Sequence, residues 1–389
     1  MHLTNREPMW KLLFSKDVLL LYISLQLSCM RVAFIARASL FKSPGGDTVQ
    51  IISTSKYLRR QGLDVDIKLT SEEINYSTYD LLHFFNIIRP ADILAHIRYA
   101  NCPFVVSTIF VEYKESDSMS RTGVSGGILR NISSSTAEYI KTVGRWIVSG
   151  ERIVSKEFLW RGQEGSIKKI IGHAACLFTG SMNEYDRLRK AFGFFNCFKV
   201  IPNGIDPDLF SGADGERIRD RNLVLCVGRI EAIKNQLNLI RAVRDTKFTL
   251  KLVGRAAPHQ QSYYHQCRAL ATSNIQFVDQ LSQEDLIPLY ATAKVHVLPS
   301  WFETTGLSSL EAGAMGCNVV ISTRGDSREY FGDLSYYCEP DQPASILRAI
   351  EEASNAEIKP GLQERILSEF TWEQAALKTL GAYNEVLKL

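Results

Sequence analysis

Two carboxylates stand eight residues apart in the segment Ser300-Trp301-Phe302-Glu303-Thr304-Thr305-Gly306-Leu307-Ser308-Ser309-Leu310-Glu311-Ala312. An apolar run ends just before it, and a helical pattern continues from it to Gly316. Placed on two turns of one helix, the two acids would be roughly 12 Å apart. Glycosidase pairs sit about 5–9.5 Å apart across one bond, so that chemistry matches poorly. Two hydroxyl-bearing ends of one extended ligand suit the spacing better. Between the acids, Thr305, Gly306, Leu307 and Ser308 fall at the helix amino terminus. Free N–H groups and the positive end of the macrodipole favour a phosphate there, and Gly306 permits close backbone approach. An acid, an anion-binding turn and a second acid are expected in line.

A second group follows another apolar run, Val227-Gly228-Arg229-Ile230-Glu231-Ala232-Ile233-Lys234-Asn235. The run ends at Gly228, and ligands of open α/β sheets gather beyond the carboxyl ends of strands. From there the Arg229 guanidinium, as a fork, and the Lys234 ammonium, as a point charge, can converge on a diphosphate. An exposed salt bridge is the other reading of the pair. Near the amino end, Gly45 and Gly46 follow Ser43-Pro44. They form either an ordinary turn or a place where backbone comes close to a ligand.

Positioning these groups falls to an alternation of short apolar runs with amphipathic stretches. Arg31–Ala36 reads as a strand, Asp47–Gln61 as a helix ending at Gly62, and Leu63–Leu69, Leu81–Phe85 and Phe104–Thr108 as further strands. The pattern restarts after residue 200. Strands are predicted at Leu223–Val227, Thr249–Val253, Ile275–Val278, Val295–Leu298 and Asn318–Ser322. Helices are predicted at Gln236–Val243, Tyr263–Thr272, Glu284–Thr292, Gly306–Met315 and Ala344–Ala353. Strands alternating with helices imply parallel sheets covered on both faces. Two such series, joined near Ile201-Pro202-Asn203-Gly204, predict an α/β molecule of two Rossmann-like domains facing each other across a cleft. No internal period of about 20–50 residues marks a solenoid.

At 389 residues, with 45% hydrophobic and 22% charged, the chain has the length of two ordinary domains and the mix of a soluble globular protein. That composition argues against disorder, collagen and a multi-span membrane protein. Lys and Arg number 45 against 42 Asp and Glu, a net charge of +3. So small an excess gives no global attraction to nucleic acid, and no nucleic-acid partner is expected. Cys29, Cys102, Cys176, Cys197, Cys226, Cys267, Cys317 and Cys338 are scattered, with no C-x-x-C pair and no Cys/His cluster at zinc spacing. They read as reduced, mostly buried thiols in a reducing, cytoplasmic compartment.

Val18 to Cys29 is an apolar run of 12 residues interrupted by Ser24 and Gln26, against the about 20 that a membrane helix needs. Lys11 and Lys16 fit the basic end of a signal peptide, but no A-x-A-like cleavage site follows and a strand begins at once at Met30. Residues 1–29 are therefore expected to lie upstream of the natural start, with Met30 as initiator. An accessory helix or a weak membrane anchor is the alternative. Residues 114–172 break the alternation, with no clear strand. Between Met119 and Gly172, nine basic residues (Arg121, Arg130, Lys141, Arg145, Arg152, Lys156, Arg161, Lys168 and Lys169) face four acids (Glu138, Glu151, Glu157 and Glu164). Trp146, Phe158 and Trp160 are interleaved with them. A solvated helix face accounts for this, as does an acceptor region touching an anionic membrane surface, peripheral on its inner face.

Taken in order, these pieces resemble the retaining nucleotide-sugar glycosyltransferases of family 4, on the GT-B fold. The resemblance runs from Met30 to the carboxyl end. It is most specific in Ile201-Pro202-Asn203-Gly204-Ile205-Asp206, Gly228-Arg229…Lys234, Leu298-Pro299-Ser300, the E-x7-E pair Glu303/Glu311, Gly316-Cys317-Asn318-Val319-Val320 and Phe370-Thr371-Trp372. It implies an acceptor domain over residues 30–200, a nucleotide-sugar donor domain over 201–370, and a helix over 371–389 that crosses back onto the first domain. It implies hexosyl transfer from a nucleotide-diphosphate sugar to a glycan or lipid-linked acceptor, in cell-surface polysaccharide or glycolipid biosynthesis. Arg229 and Lys234 would stabilise the leaving diphosphate, Glu303 would hold the donor sugar hydroxyls, and Glu311 the ribose hydroxyls. The backbone of Thr305, Gly306 and Leu307, with the Ser308 hydroxyl, would cradle sugar and phosphate. Gly45 and Gly46 would approach the phosphate or acceptor from the other domain.

The resemblance also implies that the leaving phosphate takes the acceptor proton while the acceptor enters on the same face. The protein would then supply electrostatic stabilisation and alignment. Family members usually need no metal, and no cofactor is expected. The strings Asp64-Val65-Asp66 and Asp206-Pro207-Asp208 read as strand and turn residues. One departure stands out. Many relatives carry a histidine just after the fourth strand, where Ile109 and Phe110 stand here. His83 reads either as a partial substitute for it or, the preferred reading, as a buried structural residue. A nucleotide-sugar-binding protein with little turnover shares the architecture, and so does a nucleotide-sugar epimerase, although epimerases do not normally carry this E-x7-E arrangement.

Overall fold

The first apolar run buries both of its faces. In β1 (Arg31–Ala36), Val32, Phe34 and Ala36 join one cluster of buried side chains while Ala33 and Ile35 join another. That is how a strand reads when both faces of a parallel sheet are covered. The structure, a computed structural model, describes residues 30–111, 155–193, 195, 197–211, 219–258 and 260–388. The expectations for residues 1–29, and for Arg121, Arg130, Lys141, Arg145 and Arg152 of the basic stretch, lie outside the described residues.

After β1 come α1 (Gly46–Arg60), β2 (Asp64–Leu69), β3 (Leu81–Phe85), α2 (Pro90–Ile97), β4 (Phe104–Ser107), α3 (Lys156–His173), β5 (Cys176–Thr179), α4 (Met182–Phe192) and β6 (Phe198–Val200). The six strands pair in parallel in the order β2-β1-β3-β4-β5-β6. The chain leaves β1 toward β2 and returns on the other side as β3. The carboxyl ends of β1 and β3 therefore border a crevice. Helix α1 begins sharply at that edge. The Gly45 N–H donates to Thr48 Oγ1 at 3.1 Å, and Asp47 in the first turn with Arg59 and Arg60 in the last complement the macrodipole.

The second half follows as α5 (Pro207–Phe210), β7 (Asp220–Val227), α6 (Gln236–Val243), β8 (Thr249–Val253), α7 (Gln261–Leu270), β9 (Ile275–Val278), α8 (Gln283–Thr292), β10 (Ala293–Leu298), α9 (Leu307–Ala314), β11 (Asn318–Ser322), α10 (Ser327–Phe331), β12 (Tyr336–Cys338), α11 (Pro343–Asn355) and α12 (Pro360–Glu369). Its sheet is parallel in the order β12-β11-β10-β7-β8-β9, so the direction of travel reverses between β7 and β10. The candidate residues Arg229 and Glu303 follow those two strands.

The chain then returns to the first half. The Ile205 N–H donates to the Phe370 carbonyl and the Trp372 N–H to the Ile205 carbonyl, each at 2.9 Å. A Cβ on Gly204 would lie 2.3 Å from the Thr371 carbonyl carbon, so this crossing admits only glycine. The last helix, α13 (Trp372–Leu387), is capped by Thr371 Oγ1, which accepts from the Gln374 N–H at 3.2 Å. It seats Trp372, Ala375, Ala376 and Tyr383 in the core shared with β1 and α1. The helix crosses back onto the first half as expected.

The cysteine expectation needs correction. Cys176 and Cys197 are joined by a disulfide, with Cα atoms 4.7 Å apart. The ladder register explains the pairing: Leu177 lies opposite Phe198 in β5 and β6, so the residues just before them are neighbours too. Cys226, Cys267, Cys317 and Cys338 are free and buried, and Cys102 is free and partly buried.

Candidate functional site

The crevices of the two sheets face each other and enclose a cavity of about 620 Å³. Gly45, Gly46, Arg229, Lys234, Glu303, Thr305, Gly306, Leu307, Ser308 and Glu311 all line it. Their positions follow from the strand ends that carry them.

Beyond β7, Arg229 turns a half-exposed guanidinium toward Glu231, with Nη2 donating to Oε1 at 3.1 Å. It also lies against the start of α1, since a Cβ on Gly45 would meet Arg229 Nη1 at 3.6 Å. A single helical turn, Ala232–Lys234, then presents Lys234. Asn235 follows in the left-handed region (φ 60) and ties the turn down through Nδ2, which donates to the Pro299 carbonyl at 3.0 Å and the Pro340 carbonyl at 2.6 Å. The Trp301 N–H donates to the Ile233 carbonyl at 2.8 Å. The segment after β10 is thereby fastened to the segment after β7, and Lys234 Nζ reaches Glu303 Oε2 at 2.6 Å.

Glu303 is buried, accepts a further bond from Ser300 Oγ at 3.1 Å, and bridges to Gly325. It does not stand on the helix. α9 begins only at Leu307, after Gly306 in the left-handed region (φ 72). The expected rise of two helical turns between the acids is therefore corrected: a loop holds Glu303 and the helix holds Glu311. The first bond of the helix runs from the Ser309 N–H to the Gly306 carbonyl, leaving the Leu307 and Ser308 amides as the orphan donors of the first turn. The Ser308 hydroxyl, expected to face a ligand, donates to the Val227 carbonyl at 2.8 Å. Its proton secures the helix to β7, and only its lone pairs remain for a ligand. Thr305 Oγ1 accepts from Asn203 Nδ2 at 3.1 Å and donates to the Tyr330 hydroxyl at 3.3 Å.

Glu311 lies on the buried face of α9 and accepts from Gln283 Nε2 at 2.7 Å and the Tyr290 hydroxyl at 2.9 Å. Burial outweighs these two bonds and pushes its carboxyl up to about 7. At neutral pH this acid is poised between its charged and neutral forms.

On the opposite wall, Ile109 stands in the left-handed region (φ 46), unusual for a β-branched residue, and Phe110 is buried. His83 does not line the cavity. Its Nδ1 lies 2.5 Å from the Tyr383 hydroxyl and its Nε2 2.8 Å from Ser107 Oγ, and burial pulls its pKa down to about 3. The two D-x-D strings are engaged elsewhere. Asp64 and Asp66 pair with Arg31 in the first half. Asp206 receives Lys56 Nζ at 2.7 Å and the Tyr57 hydroxyl at 2.8 Å, while Asp208 pairs with Arg60. In the described part of the basic stretch, Glu157 receives both Arg161 Nε and Lys169 Nζ at 2.6 Å, and Phe158 is buried in the core. No helix among the described residues is long and apolar enough to cross a membrane.

Sequence reasoning did not single out Gln283 and Tyr290, which hold Glu311, or Asn203 and Tyr330, which hold Thr305. Asn203 stands in the Pro202-Asn203-Gly204 motif, which was the available signal. The others look like ordinary helix residues until the fold brings them to the acids.

Residues 213–366 match the family described as Glycosyl transferases group 1. The match falls within the carboxyl-terminal half of the chain. Among curated relatives, the D-inositol 3-phosphate glycosyltransferase of Acidothermus cellulolyticus is 25% identical over 246 residues, 56% of this chain and 55% of that protein. The O-antigen chain mannosyltransferase B of Escherichia coli is 33% identical over 113 residues, 28% of this chain and 30% of that protein. The chain thus spans about half, or less, of the length of these relatives. Among solved structures, the sucrose-phosphate synthase of Thermosynechococcus elongatus superposes with a TM-score of 0.68 at 17% identity, covering 92% of this chain and 99% of that one. The Anabaena protein HepE in complex with UDP-glucose gives 0.66 at 16% identity, covering 92% and 100%. At such identities the likeness is one of fold. The two halves together have the GT-B fold.

Proposed function

We propose that the protein is a retaining, metal-independent glycosyltransferase that moves a hexosyl group from a nucleotide-diphosphate sugar to a glycan or lipid-linked acceptor, in polysaccharide or glycolipid synthesis. One observation carries the reading: two buried carboxylates, Glu303 and Glu311, share a single cavity with Arg229, Lys234 and the amides that open α9. In this reading Glu311 takes the ribose hydroxyls, Glu303 takes the sugar hydroxyls, and the cations with the helix amino terminus hold the diphosphate between them. Gly45 and Gly46 bring the first half's backbone to the same cavity. The bond from the anomeric carbon to the phosphate oxygen breaks, and a bond to the acceptor oxygen forms on the same face. The acceptor proton passes to the departing phosphate. Arg229 and Lys234 stabilise the charge that develops there, and the cavity aligns the two substrates. HepE was solved with UDP-glucose, which makes that donor a natural first probe. The proposed setting is peripheral on a membrane surface; the Cys176–Cys197 bond removes the argument from reduced thiols for a cytoplasmic one.

A panel of UDP-glucose, GDP-mannose and ADP-glucose, followed by titration calorimetry and by release of nucleoside diphosphate, tests the proposal. Micromolar to millimolar binding of one donor with slow release of its nucleotide is expected. Binding of none removes the reading. Ile109 offers no titrating group at the first-half wall, which favours a sugar-nucleotide-binding protein as the second reading. Binding without release, in the presence of glycan acceptors, would support that one.

A further inference from the structure

We propose that Arg187 is a positioning residue that fastens the Glu303 segment of the second half to the Phe110 turn of the first, so that closing the cleft and placing Glu303 are one event. The inference rests on the reading of Glu303 as the group that holds the donor sugar.

Arg187 stands on α4 and does not line the main cavity. Its Nη1 and Nη2 donate to the two carboxylate oxygens of Asp326 at 2.5 and 2.8 Å, and its guanidinium lies 5.0 Å from the Phe302 ring centroid. Both contacts flank Glu303. Phe302 precedes it in the chain, and the Asp326 N–H donates to the Glu303 carbonyl at 2.8 Å. On the first-half side, Arg187 Nη2 also reaches the Phe110 carbonyl at 3.4 Å. One turn earlier on α4, Glu184 is fully buried and accepts from the Phe110 N–H at 2.6 Å and the Thr108 hydroxyl at 2.5 Å. One helix therefore grips both backbone groups of Phe110, and the left-handed Ile109 lies between the gripped residues.

The Asp326 side chain is only 1% exposed, so removing its partner strands a buried charge. The two-pronged geometry is one that a guanidinium makes and an ammonium does not. Opening the cleft would break this contact, which joins residues from opposite halves. The same movement would release the backbone that carries Glu303.

The test uses whichever of UDP-glucose, GDP-mannose and ADP-glucose the unsubstituted protein turns over. Arg187→Met should cut kcat with that donor at least about tenfold. The affinity for the matching nucleoside diphosphate alone should change by less than about twofold, because Arg229, Lys234 and Glu311 keep their places. Arg187→Lys should recover part of the lost kcat. Turnover within about twofold of the unsubstituted protein overturns the inference. So does a nucleotide affinity that falls in step with turnover, which is what general structural damage produces. Asp326→Asn keeps the side-chain shape and repeats the measurement if Arg187→Met does not fold. Absence of donor binding by the unsubstituted protein sinks the functional reading and this inference with it, whereas normal turnover in the variants sinks the inference alone.

Discussion

Glu311 is a carboxylate whose surroundings decide when it is charged. Its folded-state value of about 7 lies above the ordinary 4.5 because burial outweighs the bonds from Gln283 and Tyr290. Ribose hydroxyls donate best to the ionised form, so donor KM should rise as pH falls from about 8 to about 6, and Glu311→Gln should flatten that profile. The stability trend has the opposite sign. A group with a raised folded-state value contributes its stabilisation fully below 4.5 and loses it as pH rises through about 7. Glu311→Gln should therefore raise Tm more at about pH 8 than at about pH 6. Glu303→Gln and Lys234→Ala should each lower turnover at least about tenfold, roughly 1.4 kcal/mol of barrier. Unchanged kcat in both would remove the site. The residue types were legible because two acids, an Arg, a Lys and a glycine turn carry their chemistry with them. Their bonds were not: Lys234 meets Glu303 across 69 positions, and the Ser308 proton goes to a strand end 81 positions away.

At the scale of elements, strand ends do most of the positioning, and the Gly325 turn shows how tightly. Gly325 has φ +89, and a Cβ there would sit 2.2 Å from the Glu303 carbonyl oxygen. Gly325→Ala should cost about 1–3 kcal/mol in chemical denaturation and displace Glu303, lowering turnover as well. Gly361→Ala is the matched control: its nearest contact is 3.6 Å from a leucine methyl, and it should be neutral or mildly stabilising. In the second half the three-residue β12 was missed. There β8, β9 and β11 were readable to the residue, and β7 and β10 at their carboxyl ends, because apolar residues dominate them and β10 and β11 are buried at every position. β5 and β6 were not. At four and three residues they give too few positions for a period, and β6 is only partly buried. Missing their pairing meant missing the Cys176–Cys197 bond, whose partners only become neighbours through the ladder. The helix at Gly306–Met315 was legible, but its left-handed amino cap, which excludes Glu303, was not.

For the whole molecule, two repeats of the same βα grammar announced two sheets, and the closing Phe370-Thr371-Trp372 announced the helix that returns. How the halves meet depends on contacts between distant residues. Lys56 and Tyr57 reach Asp206, and the Met182 and Asn183 amides at the start of α4 hold the Glu329 carboxylate at 2.8 and 2.6 Å. Trp372 is 2% exposed and fills the first half's core from the far end of the chain. Trp372→Ala should therefore cost about 3–5 kcal/mol, seen as a lower unfolding midpoint. The central claim is that the cavity between the halves transfers a sugar from its nucleotide with the anomeric configuration kept. Proton NMR of the donor that the panel selects, with the protein and methanol as a surrogate acceptor, tests this most directly. The account predicts nucleoside diphosphate released in step with a methyl glycoside of the donor's own anomeric configuration. A methyl glycoside of inverted configuration, or a donor left intact and unbound at saturating protein, would contradict it.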